Sequence, residues 1–179
     1  MKISKKINAY NIAMMGLLYA LALVLTGIEY LIPPLPMAPP GVKLGLANII
    51  TMYCLFFLSK KQMFLLVFLK SLFVLLIQGI TAFMISLSGG LFSAAVMVLL
   101  VVIFKKKISY LIISISGAIS HNIGQLVIAS FLLGTNLFLY YLPLLIIAGV
   151  IMGYITGIAL KILIPVFNRV KNSRHSALK

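Results

Sequence analysis

Aspartate is absent from the 179 residues, and Glu29 is the only carboxylate side chain. Paired-acid catalysis and Asp-rich magnesium sites need at least two carboxylates, so one chain can build neither. The single Cys54 lies inside an apolar run, which removes an internal disulfide and a cysteine metal cluster as well. Charged residues make up 9 % of the chain, far below the roughly one quarter usual in soluble domains. Hydrophobic residues fill the space instead, at 63 %, with a mean hydropathy of +1.22. These proportions belong to an all-α integral membrane protein. No Walker-type phosphate loop, Rossmann glycine pattern, zinc-ligand spacing or nucleophile elbow occurs, so no catalytic residues, no metal and no intrinsic cofactor are expected.

Fifteen Lys and Arg against one acid give a net charge of +14. In a soluble chain that excess would suggest nucleic acid, but here the basic residues stand in short clusters between long apolar runs, and no nucleic-acid partner is expected. A bilayer core takes about 20 apolar residues per helix. The chain divides into six such spans, at roughly 8–32, 43–58, 62–83, 88–104, 109–133 and 140–164, forming one transmembrane domain over 1–179. The first span follows three lysines, as a signal peptide would, but its apolar run is too long and no small-residue cleavage site follows; a retained helix is expected. Basic clusters precede the first span and follow the second, fourth and sixth, while the connections 33–42, 84–88 and 134–139 contain no Lys or Arg. Cytoplasmic loops retain basic residues, so the pattern places both termini in the cytoplasm of a multi-pass cell-membrane protein surrounded by lipid. Thirteen of the fifteen basic residues obey it, and Lys43 and Lys70 do not.

Five of the seven prolines fall between Pro33 and Pro40. That segment ends a helix and stays stiff, as a lid or simply as a turn. In the first span Ala9, Ala13, Gly16, Ala20 and Gly27 lie within about 60° of one another on the helical wheel, a stripe that permits close helix approach. The last span carries a second stripe, Gly149, Gly153 and Gly157. Each serves either packing inside the bundle or contact with another protein.

Polar groups inside hydrocarbon are costly, and those present here mark candidate binding positions. Lys70 lies about 12 Å into the third span at 1.5 Å per residue, near the middle of the bilayer. Gln78 and Thr81 follow at about 80° and 20° from it on the wheel, which predicts a shared face. His121, Asn122 and Gln125 cluster in the fifth span and must meet protein, water or a ligand. Asn48 and Thr51 form a weaker pair, read as structural. Ser86-Leu87-Ser88-Gly89-Gly90 falls where the third span hands over to the fourth, either as a tight turn or as a source of free N–H groups for a polar ligand.

The runs Ala20-Leu21-Ala22-Leu23-Val24-Leu25 and Gly41-Val42-Lys43-Leu44-Gly45-Leu46-Ala47-Asn48-Ile49 resemble the opening of S components of energy-coupling-factor transporters. The blocks Ser86 to Ser93 and Ser116 to Gln125 resemble the Gx transporter family, also labelled heptaprenyl diphosphate synthase component I, and the likeness extends over nearly the whole chain. The resemblance implies an S-component-like bundle of six transmembrane helices that binds a small molecule and docks through the first helix onto a transmembrane coupling subunit driven by an ATPase pair. Ala9, Ala13, Gly16 and Ala20 are then the docking residues. Lys70, Gln78, Ser88, Gly89, His121, Asn122 and Gln125 are the expected ligand-binding residues, assigned by their chemistry. The ligand expected is anionic or amphipathic. Similarity to a membrane protein of flavin-based electron-transfer systems brings a bound flavin or quinone into view, and with it a non-catalytic role in a redox or isoprenoid system.

Overall fold

A computed structural model describes residues 9–31, 45–104, 108–134 and 138–177. Lys43 and the proline segment lie outside the described residues. Among the described residues the regular elements are five helices: α1 (Ala9–Leu31), α2 (Asn48–Phe57), α3 (Lys60–Phe104), α4 (Tyr110–Leu133) and α5 (Phe138–Ala177). Helices are the solution lipid demands, because each satisfies its own backbone hydrogen bonds within the segment. Four of them contain stretches long and apolar enough to cross a membrane: Ile12–Leu31, Lys60–Phe104, Tyr110–Leu133 and Tyr140–Pro165. At ten residues, α2 rises only about 15 Å and cannot cross a ~30 Å core alone. Seven of its residues, Asn48 to Cys54, are buried, so it is an interior element.

Local signals set several helix ends. Ser59 opens α3 by accepting the Gln62 N–H at 3.3 Å, and its own hydroxyl donates to Gln62 Oε1 at 2.8 Å. Ser109 caps α4 by accepting from Leu111 N, and Gly134 ends that helix in the left-handed conformation at φ 63°.

The 45 residues of α3 are not one straight rod. Gly79 has φ 82° and ψ −174°, a region essentially reserved for glycine. In a straight helix residues 67 and 90 would stand roughly 34 Å apart at 1.5 Å per residue. Instead, a Cβ added to Gly90 would lie 2.6 Å from Val67 Cγ1. The arms 60–78 and 80–104 therefore fold back on each other, and residues 76–81 form an exposed tip. This corrects the expectation of a reversal at Ser86–Gly90. Those five residues stay helical, and their glycines serve close packing rather than turning.

Gly149 and Gly153 of α5 face the backbone of α4 at Ile119 and Ile115, and Gly157 faces Leu111. The same interface carries a 2.6 Å hydrogen bond between the Ser114 and Thr156 hydroxyls and a 2.7 Å bond from Asn122 Nδ2 to Leu145 O. Buried apolar side chains collect where α1, α3 and α4 begin, with Met14, Leu18, Met63, Leu66 and Ile113 among them. Large hydrophobics such as Leu76, Phe131 and Ile162 face outward, as a lipid-covered surface requires.

Candidate functional site

Nearer the Gly79 turn, the interior becomes polar. Glu29 stands near the end of α1, and its Oε1 accepts the Leu46 N–H at 2.6 Å in the lead-in to α2. Gly45, at φ 84°, turns the chain there, and its carbonyl accepts the Asn48 N–H at 2.9 Å. Lys70, in the first arm of α3, is only 4 % exposed and feels the charge of Glu29. The one acid of the chain thus acts on the one lysine buried in the bundle interior among the described residues. A charge at that depth costs at least about 2.5 kcal/mol without a partner, and the field of a nearby carboxylate offsets part of it.

His121 of α4, 2 % exposed, occupies the centre of this cluster and feels the charge of Lys70. Two glycines make room for its ring. A Cβ on Gly45 would lie 3.1 Å from His121 Cδ2 and 2.8 Å from Asn48 Nδ2. On the other side, a Cβ on Gly89 would lie 2.9 Å from His121 Cε1 and 2.6 Å from Gln125 Cγ. Asn48 is 7 % exposed, and neither its Nδ2 nor its Oδ1 has a hydrogen-bond partner; His121 Nδ1 is in the same condition. Buried polar atoms left this way are costly to folding and mark places where a further group is accommodated.

Of the residues singled out by sequence, Lys70, Gly89, His121 and Gln125 come together. Gln78 does not. It sits on the exposed tip at the end of the same arm, eight residues and about 12 Å along the helix from Lys70; Thr81 lies beyond the Gly79 break, where the wheel relation fails, and is exposed as well. Ser88 is engaged in packing, its hydroxyl donating to Ile85 O at 3.1 Å and Gly124 O at 2.7 Å. Gly89 lies within α3, so its contribution is the space it leaves rather than a free N–H. Asn122 turns its amide nitrogen toward α5. Glu29, Gly45 and Asn48 complete the cluster. The uniqueness of Glu29 was the available signal for the first, Asn48 showed its polarity but reads as structural from sequence, and nothing local distinguishes Gly45.

Ala13, Gly16 and Ala20 of α1 are exposed, and no atom lies within 4 Å of a Cβ placed on Gly16. Ala9 is the first residue of the helix. Met14, Leu18, Ala22 and Thr26, four apart, form the opposite, buried face, and Tyr19 donates from its hydroxyl to Leu69 O at 3.2 Å.

The fold and the cluster together define a helical protein with apolar helices of membrane-spanning length, a polar interior cluster and a bare small-residue helix face. Residues 18–163 match the family model of heptaprenyl diphosphate synthase component I, and the chain belongs to that family. No curated protein and no solved structure matches it.

Proposed function

We propose that this chain is the substrate-binding membrane subunit of an energy-coupling-factor-like transporter, crossing the cell membrane six times with both termini in the cytoplasm. The two arms of α3 supply two of the crossings, and α2 with the segment leading into it supplies another. The observation that carries the reading is the bare stripe of α1: three small residues face outward where a neighbouring helix can approach closely, while the same helix delivers Glu29 to the polar interior. The partner is a transmembrane coupling subunit with its ATPase pair, and the ligand a small amphipathic molecule. Affinity purification from mild detergent tests this. Wild-type protein is expected to bring down the coupling subunit and ATPases, and Ala20→Leu to lose them while remaining folded; an undiminished complex removes the docking face.

The family's name favours a second reading, a non-catalytic membrane component beside a heptaprenyl diphosphate synthase or a flavin- or quinone-dependent redox system. Prenyl diphosphate chemistry through magnesium requires clustered carboxylates, and with no aspartate this chain would serve it only through a partner. Flavin is the first ligand to test. A bound flavin that exchanges freely with added flavin supports transport, whereas one held tightly through reduction and reoxidation supports the second reading.

A further inference from the structure

The polar cluster discriminates between ligands by charge and by hydrogen-bond pattern. We infer that Glu29, acting on Lys70, disfavours anions at this site, and that Asn48, beside His121, reads an uncharged donor–acceptor edge of the ring-amide or imide class. The inference rests on the substrate-binding reading above and names the chemistry its ligand presents.

Charge comes first. A lone buried lysine would recruit a carboxylate or phosphate, but Lys70 lies in the field of Glu29, a carboxylate that also accepts the Leu46 N–H at 2.6 Å. An incoming anion would stand beside a fixed carboxylate, and like charges in a weakly screened interior repel strongly. The chain holds fifteen basic residues and a single acid, and that acid acts here on Lys70.

Pattern comes second. Asn48 offers one donor, Nδ2, and one acceptor, Oδ1, both buried and both without a partner. A primary amide is matched at two points by a group carrying an N–H and a C=O side by side, as in a lactam or imide ring. A phosphate or carboxylate, having only acceptors, satisfies Nδ2 and leaves Oδ1 bare. A hydrocarbon satisfies neither. The imidazole of His121 adjoins Asn48 at Gly45 and turns its Nδ1 and Cε1 toward Gly89. Gly45 and Gly89 pack closely on the two sides of that ring and hold the imidazole beside Asn48.

The test uses the purified full chain in lipid nanodiscs and three rings of one shape: uracil with its imide edge, 1,3-dimethyluracil with the N–H groups blocked, and orotate, which adds a carboxylate. Thermal stability is followed against the concentration of each. Uracil is expected to protect saturably, and the other two to need at least tenfold higher concentration. Equal protection by the dimethylated ring, stronger protection by orotate or inorganic phosphate, or no protection by uracil each overturns the inference, and none of these requires a variant. Two substitutions sharpen it. Glu29→Gln leaves Lys70 unneutralised and is expected to shift the orotate-to-uracil preference at least tenfold toward orotate; an unchanged preference overturns the charge argument. Asn48→Leu is expected to abolish the difference between uracil and its dimethylated form, and a retained difference overturns the role of Asn48. Co-purification of the coupling subunit is scored separately: a complex that forms while the ring series fails removes only this inference, and a missing complex removes the transporter reading.

Discussion

Two helices of this protein carry the same small-residue signal and use it in opposite ways. On α5, Gly149, Gly153 and Gly157 are buried against α4, close enough that a Cβ on Gly153 would press on the Ile115 backbone. On α1, Ala13, Gly16 and Ala20 are exposed, and a Cβ on Gly16 would touch nothing. A stripe of small residues therefore states that a helix can be approached closely, and only the arrangement of the bundle states from which side the approach comes. Polar chemistry follows the same division. The α4–α5 contact is reinforced by Ser114 with Thr156 and by Asn122 with Leu145, whereas the outward face of α1 presents Ile12, Leu17 and Val24 beside its small residues.

The contrast can be broken by substitution, beginning where the effect is largest. Gly153→Leu forces a side chain into the α4 backbone and is expected to destabilise the protein by about 3 kcal/mol, the upper end of ordinary overpacking, seen as loss of the monodisperse folded species on size exclusion. Asn122→Leu removes the bond to Leu145 O and is expected to cost about 1 kcal/mol in reversible unfolding in detergent. Ser114→Ala removes the hydroxyl pair with Thr156 and is expected to cost about 0.6 kcal/mol by the same measurement. Gly16→Leu, on the open stripe, is expected to change stability by less than about 0.5 kcal/mol, as surface substitutions usually do, while abolishing co-purification of the coupling subunit. Equal destabilisation by Gly16→Leu and Gly153→Leu would erase the contrast, because both stripes would then be internal.

Much of the helical content was readable from the chain. The ends of α1 and α4 fall within one residue of the sequence expectation, since apolar length and the Ser109 and Gly134 caps are local signals. The turn of α3 was not readable in the same way. Ser86-Leu87-Ser88-Gly89-Gly90 has the composition of a turn, but once Val67 packs on Gly90 and His121 on Gly89 those residues are worth more as a contact surface. The solitary Gly79, within an apolar stretch, takes the positive φ instead. The exposure of Gln78 follows from the same event, because the turn leaves it at the tip of its arm, and for Thr81, beyond the break, a wheel projection that assumes an unbroken helix no longer holds. Asn48 showed its polarity in the sequence and hid its place, since its importance lies in what fails to reach it.

By itself the sequence determined that the backbone would be helical and lipid-covered, because 63 % hydrophobic residues in long runs leave each peptide group no partner but its own helix. It also determined that a buried lysine would need an answer, and that Glu29 was the one acid able to give it. Only the tertiary structure decided which stripe of small residues met its partner within the chain, which glycine reversed α3, and that Glu29 bonds the lead-in of α2 where its charge acts on Lys70. Those outcomes depend on contacts between segments far apart in the chain, whose energies are set by packing several helices at once and leave no mark on local composition or periodicity.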